Sequence, residues 1–345
     1  MRKLHAILLA TGVIFLGWLL RKIGIGELWN ELTALGWGLV PLVLCEGVAE
    51  MVHTVGWRFC LSGANRQMPL ARLFQIRMAG YAINYITPTA ALGGEVSRAG
   101  LLAASGPGAE AASGVLIDKA CFALGHLLIV LVGCAYILWR VPLPPALRIA
   151  MSVAIVPMTV GIVTFILLQK YGKIGAVLRW LAARRYGGAR LGKMAEQVTA
   201  LDEAFSAFYR ERPQDLVWAV AWHLVGFAVG ILQPWLFLLL LHQPISLSAA
   251  AGAWVLGLWF DLLTFAVPMN LGTLEGGRIV IFRTLGYGAL LGATCGFTQR
   301  LAQVCWSLFG LVNYALLLRR PTQPTAKTSD QLGPRNMSHL LGRGS

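Results

Sequence analysis

The chain has 345 residues, of which 57% are hydrophobic and only 13% are charged, and its mean hydropathy is +0.66. A water-soluble domain carries about twice that charged fraction, so the composition excludes a soluble globular protein and indicates a polytopic membrane protein. The formal net charge is +14; because the basic residues flank apolar runs, the excess reads as membrane topology, and nucleic acid is set aside as a partner.

In chain order, the start MRKLHAILLATGVIFLGWLLRK joins a basic head to an apolar run. No small-residue cleavage site follows it, so an uncleaved first membrane helix is expected rather than a signal peptide. A span needs about 20 apolar residues, and runs of that kind cover 5–21, 37–60, 113–139, 148–169, 214–241 and 289–318. Two further apolar stretches, 70–104 and 247–287, are interrupted by proline and glycine. Broken backbone inside a membrane is tolerated only where it is buried in protein or lines a cavity, so each stretch is expected to be a re-entrant helical hairpin.

Six spans plus two hairpins put both termini inside, in agreement with Arg2, Lys3, Arg319 and Arg320 at the ends. The same topology assigns Arg66, Arg72 and Arg77 to the cytoplasmic side, together with segment 170–213. That segment carries nine basic residues (Lys170, Lys173, Arg179, Arg184, Arg185, Arg190, Lys193, Arg210, Arg212) against four acidic ones (Glu196, Asp202, Glu203, Glu211). Within it, Val198, Leu201, Phe205, Phe208 and Tyr209 share one helical face, which either lies on an anionic leaflet or packs on the base of the bundle. The predicted fold is therefore all-α: a membrane helix bundle over 1–320, with halves of about 1–140 and 148–320 forming an inverted repeat, and a polar tail, 321–345, expected to be disordered. One stretch bears on the topology: 247–266 is long enough to cross the membrane outright.

The repeat is visible in particular residues. Pro88, Glu95 and Arg98 recur as Pro268, Glu275 and Arg278, in each case proline, six residues, glutamate, two residues, arginine. The register holds on to Gly106 and Gly286, Gly108 and Gly288, and Ala109 and Ala289. Ionisable residues inside membrane segments are costly and mark functional sites by default, and matching interrupted segments in two halves point to a transporter-type site near the midplane. Arginine grips phosphate with a planar two-pronged fork, so Arg98 and Arg278 are the expected headgroup ligands. The plainer reading is that each Glu–Arg pair, three residues apart, neutralises itself. Asn84, Thr87 and Thr89 at the first break, and Asn270 and Thr273 at the second, can satisfy exposed backbone. Gly93, Gly94, Gly272, Gly276 and Gly277 allow close helix approach.

Glu46, Glu50 and His53 fall on one face of a span, which suggests either a polar cavity and proton path or an interhelical hydrogen-bond cluster. Asp118 and Lys119 follow the first hairpin, where Asp118 is placed to pair with one of its arginines. Asp261 and Arg300 are taken as partners of each other. His126 and His223 are single residues on apolar faces and read as packing groups. Six scattered cysteines without CxxC spacing read as packing residues too, and no group has metal-ligand spacing.

The stretch NYITPTAALGGEVSRAGLL followed by GVLIDK, with AVPMNLGTLEGG in the second half, resembles the lysylphosphatidylglycerol synthase transmembrane-region family, the flippase-like membrane domain. The resemblance covers about residues 1–320. The pairs Gly36–Trp37 and Trp57–Arg58 are also similar to the hopanoid-biosynthesis-associated branch. The resemblance implies lipid translocation, and with it roles for Pro88, Gly93, Gly94, Glu95 and Arg98, and for Pro268, Gly272 and Glu275. The aminoacyl-transferase domain of the synthases has no counterpart in this sequence, so a standalone member is expected and lysyl transfer is not implied. The expected activity is movement of a phosphate-bearing lipid, phospholipid or polyprenyl-linked, between leaflets of a bacterial-type cytoplasmic membrane. No cofactor is called for, and no phosphate-binding GxxxxGK[ST] loop occurs, so the energy is expected from a gradient, a partner or the lipid's own imbalance, with Glu95, Glu275 and Asp261 as proton-coupling candidates. Two rivals remain: an integral-membrane transferase acting on lipid, and an accessory protein that hands on hopanoid or lipid.

Overall fold

The computed structural model describes residues 14–319 apart from 15–16, 19, 23, 88–92, 106–107, 141–142, 174, 178–179, 181–201 and 265–266. Among the described residues the regular structure is all helical. Most of the expected span 5–21, the motif proline Pro88 and the tail 321–345 lie outside them.

Helix α1 (Ile25–Leu35) runs through one 3-10 turn into α2 (Leu39–Cys60), and a short α3 (Gly63–Arg66) follows. Then come α4 (Leu70–Ile86), α5 (Gly93–Ala103), α6 (Gly108–Arg140) and α7 (Pro145–Lys170). The second half contains α8 (Pro213–Val229), α9 (Leu232–Leu240), α10 (Leu247–Thr264), a 3-10 turn at Pro268–Asn270, α11 (Thr273–Thr284) and α12 (Ala289–Arg319). Proline at the first turn of α7 and of α8 suits a position whose N–H would be unpaired anyway.

Among the described residues, six helical runs are long and apolar enough to cross a membrane: Ile25–Cys60, Glu110–Arg140, Pro145–Lys170, Pro213–Leu240, Leu247–Thr264 and Ala289–Arg319. Five correspond to expected spans. The sixth is α10, which was expected as one arm of a hairpin; its 18 residues extend about 27 Å, close to the hydrocarbon thickness. Ile149, Val153, Val156, Val160, Val163 and Leu167 form an exposed stripe on α7 at helical spacing, the surface that lipid tails cover.

Each half contains a helix, a break and a short helix followed by a long helix. In the first, α5 packs between α4 and α6; in the second, α11 packs between α10 and α12. Helices α2 and α8 pack along each other, α4 packs on α12, and α10 packs on α6. Small residues make these approaches possible. A Cβ at Gly94 would lie 2.2 Å from the Gly80 carbonyl oxygen, and one at Gly310 would lie 2.1 Å from that of Met78. With no driving force from water inside the bilayer, such backbone-to-backbone contact is what holds helices together.

The basic connection between α7 and α8 is described only in part. In its helical segment 202–211, Phe205 and Phe208 are buried against the cluster that includes Ile117, Ala120 and Cys121 of α6. Tyr209 donates to Gln169 Oε1 at 2.9 Å. These residues pack on the bundle; Val198 and Leu201 lie outside the described residues. Of the six cysteines, five are buried and Cys305 is exposed.

Candidate functional site

The first broken segment builds a polar cluster inside the bundle. Thr87 closes α4 in extended conformation, and α5 begins at Gly93. The Gly94 N–H donates to Asn84 Oδ1 at 2.7 Å, so the side chain of Asn84 ties the end of α4 to the start of α5. Glu95 in the first turn suits the positive end of the helix dipole. It accepts from Asn84 Nδ2 at 3.2 Å and pairs with Lys119 Nζ at 2.9 Å. Arg98 crosses instead to Asp118, with Nη2 to Oδ2 at 2.6 Å, and its guanidinium lies 4.0 Å from the ring centre of the fully buried Trp57. The two motif residues therefore do not neutralise each other; both reach to neighbours on α6.

Asp118 is the hub. Besides Arg98 it accepts from Arg77 Nη1 at 3.4 Å, and its Oδ1 lies 3.1 Å from His223 Nε2. Arg77 also pairs with Glu50 at 2.6 Å. The sequence placed Arg77 on the cytoplasmic side; the structure buries it in α4 between two carboxylates, because a burial-competent cation finds partners on α2 and α6. His223, read as a packing group, is fully buried and hydrogen-bonded, and its Nδ1 lies 3.0 Å from His53 Nδ1. Glu46 accepts from Tyr81 at 3.2 Å. The stripe Glu46, Glu50, His53 thus faces three different partners, an interhelical network that borders a cavity.

That cavity has a volume of about 190 Å³ and is lined by Glu50, Arg77, Tyr81, Asn84, Glu95, Arg98, Asp118, Lys119 and Phe122. It far exceeds the ~10–15 Å³ that one water needs. Three cations face three carboxylates around it, and Lys119 is the most open of them, its side chain 41% exposed. Among the described residues Arg98 Nε and Trp57 Nε1 are buried without a hydrogen-bond partner. Buried donors are nearly always satisfied, so an arginine that lines a cavity with one donor unused calls for an acceptor.

The second broken segment repeats the pairing with different parts. Glu275 pairs with Arg300 through both oxygens, at 2.6 and 3.0 Å, and Arg278 Nε donates to Gln299 Oε1 at 2.6 Å. In both halves, then, the motif glutamate binds a cation on the following long helix, and the motif arginine binds the residue just before that cation: Asp118–Lys119 in one half, Gln299–Arg300 in the other. The expected Asp261–Arg300 pair does not form. Asp261 lies 3.7 Å from Arg278 Nη2, and Arg300 goes to Glu275, the carboxylate that the turn holds beside it.

The turn itself is tight. Met269, Asn270 and Gly272 have φ of 55°, 48° and 75°, the left-handed region that glycine enters at little cost. Gly272 N–H donates to Glu275 Oε2 at 3.1 Å, a helix-capping contact. Arg300 donates to the carbonyls of Met269 and Asn270 at 2.8 and 3.0 Å, closing the turn, and its Nη1 reaches the Tyr85 hydroxyl of α4 at 3.5 Å. Pro268 opens the turn. Among the described residues no group of histidine, cysteine, aspartate and glutamate is placed to hold a metal ion.

A family model described as the lysylphosphatidylglycerol synthase TM region matches residues 4–310, nearly nine-tenths of the chain. The chain belongs to that family. It is a multi-pass membrane protein whose family ties it to membrane lipid. No curated protein and no solved structure matches it. Within this family member, the charged cluster and both motifs fall inside the matched residues.

Proposed function

We propose that the protein moves a phosphate-bearing lipid between the leaflets of a bacterial cytoplasmic membrane, without changing the lipid chemically. The observation that carries this reading is the cavity lined by Arg77, Arg98 and Lys119, in which Arg98 Nε has no partner. A phosphate oxygen satisfies that donor, and a second oxygen takes Lys119 in exchange for Glu95; ionised acceptors make the stronger hydrogen bonds. The lipid tails stay in the bilayer along the exposed apolar helix faces. Arg278, already engaged by Gln299 and 3.7 Å from Asp261, supports the second half of the bundle rather than gripping the headgroup. The basic residues of 170–213 favour a cytoplasmic placement of that connection, and both termini join it there when α10 and α11 enter and leave the bilayer on one side.

The test is leaflet exchange in proteoliposomes with headgroup-labelled phosphatidylglycerol, phosphatidylethanolamine and a short polyprenyl phosphate. Exchange of one lipid above protein-free liposomes, lost in Arg98→Ala and reduced in Lys119→Gln, is the expected result. Chemical conversion of the lipid would favour the transferase reading, and exchange that is indifferent to both substitutions in folded protein would remove the cavity from the path.

A further inference from the structure

Helices α2 and α8 cross through a reciprocal contact that the translocation reading leaves unused. Each carries a histidine three residues before a glycine: His53 and Gly56 on α2, His223 and Gly226 on α8. A Cβ at Gly56 would lie 3.1 Å from the ring of His223, and a Cβ at Gly226 would lie 2.6 Å from the ring of His53. Each ring therefore rests on the other helix's glycine, and the two Nδ1 atoms meet at 3.0 Å. On the far side, His223 Nε2 lies 3.1 Å from Asp118 Oδ1, while Oδ2 of the same carboxylate holds Arg98.

We infer that His53, His223 and Asp118 form a proton-accepting relay that couples proton uptake to anion binding at Arg98, an inference that rests on the proposed function of that cavity. The hydrogen bonds dictate the protons. If His223 donates from Nε2 to Asp118, its neutral ring leaves a lone pair at Nδ1, so His53 must donate from its own Nδ1 and present a lone pair at Nε2. A proton from water enters at His53 Nε2. The proton between the Nδ1 atoms then shifts to His223, which becomes the cation, and both hydrogen bonds survive. Asp118 now faces an imidazolium at Oδ1 and holds Arg98 less tightly at Oδ2, which frees the guanidinium for a phosphate oxygen.

Every charged group around the pair sets the sign. From α4 comes Arg77, from α5 Arg98, from α6 Asp118 and the polar His126, and from α2 itself Glu50. Phe122 and Phe227 flank the His53 ring at ring-centre distances of 4.9 and 4.8 Å. Two arginines oppose a third cation beside them, and an anion in the cavity offsets that repulsion. Linkage makes the effect mutual: the anion raises the proton affinity of the pair, and the proton raises anion affinity by the same factor.

The test uses the full chain with 15N-labelled histidine in nanodiscs of phosphatidylcholine, with and without phosphatidylglycerol, titrated downward from neutral pH through and below the ordinary histidine range. His242, exposed outside the candidate spans, reports the surface effect of the anionic lipid. The expected result is a midpoint for His53 and His223 that rises by about one unit more than that of His242, a tenfold coupling. In parallel, leaflet exchange of phosphatidylglycerol rises on acidification, and His223→Gln, which keeps an N–H donor for Asp118, flattens that profile. Midpoints that move no more than that of His242 overturn the relay, and exchange that persists without pH dependence overturns it while leaving translocation intact. A midpoint shift without exchange of any lipid supports the relay and removes translocation.

Discussion

The two broken segments share a sequence pattern and a pairing scheme, yet one is open and the other is stapled shut. In the first, Glu95 meets a lysine whose side chain is 41% exposed, and the cluster borders a cavity of about 190 Å³. In the second, Glu275 is fully buried, gripped through both oxygens by Arg300, and the same arginine ties down two turn carbonyls. A flexible ammonium can exchange partners, whereas a planar guanidinium with its donors committed cannot do so without unmaking the turn. One pairing scheme is thus compatible with two uses: an adaptable site at Lys119 and a fixed brace at Arg300.

Substitutions can break this contrast. The largest expected effect is Glu275→Ala, which leaves the part-buried Arg300 without its carboxylate and costs about 3 kcal/mol, read as a fall in the midpoint of detergent-induced unfolding. Gly94→Ala comes next, because its Cβ would strike the Gly80 carbonyl; forcing α4 and α5 apart costs about 1–3 kcal/mol. Lys119→Gln removes the ammonium beside the buried Glu95 but keeps an amide donor for it, and costs about 1–2 kcal/mol, while lipid exchange falls several-fold, so activity and stability separate at this residue. The mildest change sharpens the comparison: Gln299→Glu gives Arg278 the carboxylate that Asp118 gives Arg98; at this buried position attraction and desolvation largely offset, so stability shifts by about 1 kcal/mol and exchange stays within about twofold.

The helical fold was legible because apolar length is a strong signal, and the candidate site because the motif repeats at a constant interval. The pairing was not. Three-residue spacing suggested that Glu95 and Arg98 neutralise each other, but buried charges take whichever partner a neighbouring helix brings, and α6 brings Asp118 and Lys119. The matching Gln299–Arg300 pair is displaced by one residue from the constant interval that relates the motifs, and it substitutes an amide for a carboxylate, so register alone passes over it. Arg77 resembled a topology marker because it follows Arg66 and Arg72 in one basic stretch, and spacing alone does not show that its side chain turns into the bundle. His223 resembled a packing residue because its partners, His53 and Asp118, are 170 and 105 positions away.

Trp57 lies beneath the Arg98 guanidinium at 4.0 Å with its ring wholly shielded. Indole emission responds to the local electric field, so Trp57 is an optical gauge at an arginine that lines the cavity with a donor to spare. An anion arriving above that ring would change the colour of its fluorescence before any lipid reached the other leaflet, which lets binding be timed separately from passage.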